Sequence, residues 1–103
     1  MEGHALISPE VLARYAADAA RDVAGVAALG ESGLHRARGA SVREADGSFV
    51  VEVNVELEWG SSAAEVGTAV QRSVSDYLER MAAVAPASVD VLVTGVSSPP
   101  AKK

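Results

Sequence analysis

Few side chains in this sequence are of types that do chemistry, and most of them are carboxylates. Glu52, Glu56 and Glu58 alternate with Val51, Val53, Val55, Leu57 and Trp59 in the stretch FVVEVNVELEW, and Asn54 keeps the same phase as the glutamates. A period of two puts Glu52, Asn54, Glu56 and Glu58 on one face of a strand and the apolar set on the other. Asp90, in the alternating stretch VDVLV, belongs on that acidic side, and so does Leu92. Paired carboxylates can do general acid–base work or bind Ca²⁺ or Mg²⁺. Catalysis further needs a concave pocket that perturbs their pKa values. An open strand face gives them water instead. The stripe therefore reads first as a solvated face and next as a contact surface, with Leu92 its one apolar member.

The other candidates are weaker. His35, Arg36 and Arg38 form the only basic cluster, in the glycine-bearing stretch GESGLHRARG. They make a candidate loop contact for an anion or an acidic partner, set against a plain connector with solubilising charge. Neither His4 nor His35 has a second His or a Cys at ligand spacing, so no metal site is expected. GSSAAEVG follows a strand and opens a helix, but it lacks the Lys and the glycine spacing of a phosphate loop, and its serines have no His nearby. No catalytic residue and no cofactor is assigned. Trp59 is expected to cover the edge of the core.

The elements that must position these residues are legible. Ser8-Pro9-Glu10 is a helix start: a cap, a proline at the first helical position and a carboxylate against the helix dipole. Val11, Leu12, Tyr15, Ala16, Ala19, Ala20 and Val23 form the stripe of that helix, and Gly25 is placed to end it. Residues 26–29 are either a short strand or a buried turn. Ala40 to Glu44 reads as a strand joined to the long one by Asp46-Gly47, the composition of a tight hairpin. Ser62 and Glu65 match a capping box for a second helix, with Val66, Ala69, Val70, Val74, Tyr77, Leu78 and Met81 as its stripe. Pro86 follows it, and Val89, Val91 and Val93 mark a last strand.

One apolar stripe per helix and one apolar face per strand predict an α+β two-layer sandwich. Both helices pack on one face of a small three- to four-stranded mixed sheet, in the order helix, short strand, hairpin, helix, strand. Whether the last strand joins the long strand or the short one stays open. The chain has 103 residues, enough for one domain, assigned to residues 8–96 between a flexible start (1–7) and a disordered tail (97–103). Aromatics are only 4% of the sequence, so the core is built from Val, Leu and Ala. With no Cys there are neither disulfides nor thiolate sites. A net charge of −5 opposes nucleic-acid binding. No apolar run is long enough to insert in a membrane, which makes the cytoplasm the expected location.

The segments ISPEVLARYAADAARDVAGVAAL, VEVNVELEWG, EVGTAVQRSVSDYLERM and VDVLVTGV, in this order and spacing, resemble the bacterial alkaline-shock and general-stress envelope protein family across residues 7–96. The most specific parts are Ile7-Pro9-Glu10-Val11, Gly25-Val26 and Val70-Gln71 with Val74. Two positions depart from the family pattern. Trp59-Gly60 replaces Tyr-Gly, and Met81-Ala82-Ala83 replaces Met-Thr-Gly, which changes the turn there. The resemblance implies a non-enzymatic cytoplasmic scaffold of the envelope stress response. Such a protein assembles as a homo-oligomer or with a paralogue, and reaches the inner face of the membrane through a small membrane-anchored partner. The alternatives from the residues alone are a small RNA-binding module, or an enzyme using the carboxylate stripe.

Overall fold

The computed structural model describes residues 8–30 and 39–97. Helix α1 (Pro9–Arg21) starts where the sequence predicts, with the Ser8 hydroxyl accepting the Val11 N–H at 3.2 Å. It ends earlier than expected. Asp22 is its C-cap, and tight backbone bonds from Asp22 to Ala19 and from Val23 to Ala20 close it before Gly25. Gly25 instead immediately precedes the next strand, its carbonyl accepting the Glu58 N–H at 2.8 Å.

Strands β1 (Val26–Leu29), β2 (Ala40–Ala45), β3 (Ser48–Leu57) and β4 (Ser88–Val96) form one mixed sheet, with helix α2 (Ala63–Ala82) between β3 and β4. Residues 26–29 are thus a strand. The last strand joins the long one: β4 runs parallel to β3, from Val50 opposite Ser88 to Leu57 opposite Val96, with a one-residue shift that leaves Thr94 as a bulge. On the other edge of β3, both β1 and β2 pair antiparallel, and they share that edge end to end. β1 lies against Leu57 to Val55, and β2 against Val53 to Ser48. Between them, Gly30 donates to the Asn54 carbonyl (2.7 Å) and Asn54 donates to the Gly39 carbonyl (2.8 Å). The edge opposite β4 is therefore interrupted at a single residue of β3, between Gly30 and Gly39.

That close approach explains a glycine. Gly39 has φ +91°, and a Cβ there would run into the Gly30 carbonyl oxygen and the Leu29 side chain. At the hairpin, Asp46 (φ 54°) and Gly47 (φ 78°) both adopt left-handed backbone, as a two-residue turn of the twist-compatible type requires.

The core lies between the inner face of the sheet and the two helices. Val51, Val53 and Val55 have no exposed surface, and Leu57, Val26, Ala40 and Val89 surround them. From α1 come Leu12, Ala13, Ala16, Ala17, Ala19 and Ala20, and from α2 a narrow i, i+4 row of Val66, Val70, Val74 and Leu78. The α1 stripe is turned from the expected one: Ala13 and Ala17 are buried, while Val11, Tyr15 and Val23 are half-buried. Small side chains let the helices meet closely. The Ser73 hydroxyl reaches the Ala19 carbonyl (3.4 Å), and Tyr15 and Tyr77 pack edge to face with ring centroids 5.9 Å apart.

Several expected core members lie outside, Ala69 on the solvent side of α2 among them. Met81 is half exposed because the α2 row passes it by. Trp59 is 61% exposed, since β3 ends at Leu57 and the chain turns away through Glu58–Ser61 (Ser61 N–H to Glu58 O, 3.0 Å) before the indole can reach the inner face.

At the end of α2, Ala83 occupies the left-handed C-cap (φ 56°, ψ 35°); its N–H donates to the Glu79 carbonyl (3.1 Å) and the Val84 N–H to the Leu78 carbonyl (3.2 Å). This is the site where the family pattern carries Gly, so the departure keeps the turn and strains it. The Cβ strain is roughly 1–2 kcal/mol, offset in a glycine variant by about 0.4–1 kcal/mol of unfolded-state entropy. Ala83→Gly is expected to stabilise the fold by roughly 0.5–1 kcal/mol, read as a Tm rise of about 2–8 °C. Gly39→Ala should do the reverse, costing at least about 2 kcal/mol in denaturant unfolding, because the strained φ and the backbone collision add.

Candidate functional site

The outer face of the sheet is where the sequence placed its candidate contact surface. Register puts Glu52 beside Asp90 and Ser41, and Asn54 beside Leu92. Glu52, Glu58 and Asp90 are exposed, Glu56 is half-buried, and Leu92 is 44% exposed. The bulge shifts Glu56 to face Gly95, with the Glu56 side chain lying over the glycine. These acids lie spread along an open strand surface. Among the described residues, no group of three His, Asp or Glu side chains is placed to hold a metal ion.

Asn54 departs from the expectation. It shares the outer face but is only 5% exposed. The Gly30 backbone comes close to its Cβ, and Thr94, from the bulge, lies beside the same glycine. The Thr94 hydroxyl in turn donates to the Val55 carbonyl at 3.3 Å. No buried side-chain polar atom among the described residues lacks a hydrogen-bond partner, the Asn54 amide included. Asn54 therefore sits where the edge strand is interrupted and is part of the framework, not of an exposed contact surface. His35, Arg36 and Arg38, like His4, lie outside the described residues.

The β4 edge away from β3 carries no partner strand among the described residues. Leu92, Val93 and Val96 are each exposed by more than two-fifths. Val93 has the inward phase that the alternation gave it, yet α2 does not cover it. At the start of the strand, the Gln71 side-chain amide of α2 donates to the Val89 carbonyl at 3.0 Å. A shallow hollow of about 430 Å³ lies on the surface of α2, lined by Ala64, Glu65, Thr68, Ala69 and Arg72.

These features define a class first: a small two-layer α+β domain with an open acidic sheet face and an apolar free edge. The sequence matches the model of the alkaline shock protein 23 family, of cell envelope-related function, over residues 1–98, and the chain belongs to that family. No curated protein matches it. Among solved structures it is similar to a histidine-to-glutamate variant of the MamM CTD in a zinc form. That match has 17% identity and a TM-score of 0.60, and covers 88% of this chain and 86% of the other. An aspartate-to-glutamate variant of the same domain, also a zinc form, matches at 18% identity and a TM-score of 0.56 with the same coverage. At such identity the likeness is one of fold.

Replacing Asn54 by Ala should cost roughly 1–3 kcal/mol in urea or guanidinium unfolding, because the interaction its buried side chain makes is lost and a gap is left in the framework. Glu52→Gln, on the same face two residues away, should stay within about 0.5 kcal/mol of the parent.

Proposed function

We propose that this protein is a non-catalytic adaptor of the bacterial envelope stress response, which works in the cytoplasm by self-association and by docking to a membrane-anchored partner. The observation that carries the reading is the edge strand β4, with Leu92, Val93 and Val96 exposed on an otherwise acidic molecule. Apolar side chains gathered on one strand of a small domain mark a surface that another chain covers. The family's cell envelope-related function supports the envelope setting.

No helix among the described residues is long and apolar enough to cross a membrane. Contact with the envelope is therefore assigned to a partner that carries the membrane segment. The outer sheet face supports the non-catalytic part of the reading. Glu52, Glu56, Glu58 and Asp90 lie along an open surface where water solvates them, and an acidic face repels phosphate-bearing partners such as RNA.

Light scattering during size exclusion tests the reading. The mass is expected to rise above the 10.5 kDa monomer as concentration increases. A mass fixed at the monomer value throughout, with no membrane protein recovered by affinity capture from the native host, would overturn it.

A further inference from the structure

The backbone hydrogen bonds fix which groups of β4 are free. Asn54 turns its N–H and C=O toward the β1 and β2 edge, so the alternate residues of β3 turn theirs toward β4. Two bonds agree: the Phe49 carbonyl takes the Ala87 N–H and the Leu57 carbonyl takes the Ser97 N–H, each at 2.8 Å. In a parallel ladder, the partner of a residue that faces the shared edge turns its own groups outward. Val51, Val53 and Val55 pair with Val89, Val91 and Val93, so these three valines present their amides and carbonyls to the open side. Gln71 occupies the Val89 carbonyl. The bulge at Thr94 ends the regular ladder. Val91 and Val93 remain as the open hydrogen-bonding positions, with Leu92 between them, and among the described strands β4 pairs only with β3.

We infer that the self-association in the proposed function occurs through this edge: β4 pairs antiparallel with β4 of a second copy, about a two-fold axis at Leu92. Only residues of like phase can face each other in an antiparallel ladder. In the register centred on Leu92, Val91 of each copy exchanges hydrogen bonds with Val93 of the other. Leu92 meets its counterpart as the close, non-hydrogen-bonded pair, with Cα atoms about 4.5 Å apart. This register uses both open positions and leaves the Gln71–Val89 bond intact. Asp90 then lies opposite Thr94, well away from the other Asp90, so the one charged residue of β4 opposes no like charge.

The same axis sets the two α2 helices antiparallel on one side of the joined sheet. Gln71 marks the flank of α2 nearest the joint, while the hollow of Ala64, Glu65, Thr68, Ala69 and Arg72 lies on the solvent side, opposite the buried Val66, Val70, Val74 and Leu78, and stays clear of it. A second copy of this chain is therefore the occupant that the edge fits, by the match of its open hydrogen-bonding positions and by the offset of the two Asp90 carboxylates.

The test uses the absence of native cysteine. Leu92→Cys should give a covalent dimer on mild oxidation, because the close pair lies within disulfide reach. Asp90→Cys, equally accessible, should not, since the two sites stand roughly 13 Å apart along the strands. Leu92→Lys places like charges face to face and should weaken the dimer at least about tenfold in Kd. It removes no buried side chain, and an unchanged Tm confirms the fold. Val93→Pro removes only an outward N–H, which an edge strand tolerates, and should likewise yield monomer. If the parent associates while Leu92→Lys and Val93→Pro associate as well, or Asp90→Cys cross-links as readily as Leu92→Cys, this edge is not the interface and self-association stands on another surface. If the parent never associates, the wider reading fails too.

Discussion

Everything in this fold is hung on β3. Among the described strands it alone has neighbours along both edges, and its inner side chains Val51, Val53, Val55 and Leu57 are the floor on which both helices rest. The core has few large members, since α1 contributes mainly alanines, and a buried alanine adds far less apolar area than a valine or leucine. The gain from small side chains is proximity: backbone meets backbone closely enough for Ser73 to bond across the helix pair. A valine lost from β3 would therefore leave a void with few large neighbours able to fill it.

The central strand also explains what was legible in the sequence and what was not. The alternation of β3, the capped starts of both helices and the Asp46-Gly47 turn are local signals, and each is realised. Gly25 has the chemistry of a helix stop, yet α1 ends at Arg21 and the glycine lies at the entry to β1. Trp59 kept the phase of the apolar face in the sequence but not in space, since a strand's phase counts only while the strand lasts. Asn54 had the same phase as three glutamates, and nothing in its neighbours said that a distant pair of glycines would close over it. Such burial is a tertiary fact, invisible to a period of two.

The candidate surface divides along similar lines. The acids came out on one open face, as their spacing required. The β4 edge was hidden from a sequence reading because its valines carry the inward phase of a core strand. Their exposure depends on how far α2 extends over the sheet, and the α2 row of four buried residues is narrower than its apolar composition suggests. The apolar character that elsewhere makes a core here meets solvent at an edge, and that contrast underlies the functional reading.

The interruption at Asn54 has one more consequence. Gly30 and Gly39 are both held by the backbone of the same β3 residue, so β1 and β2 stay in step along one edge. Closing a longer segment across fixed ends costs only a logarithmic increment, about 0.6 kcal/mol per doubling. On that scale, a change in the number of residues joining the two glycines would cost the scaffold little, because a single peptide unit of β3 serves as its splice.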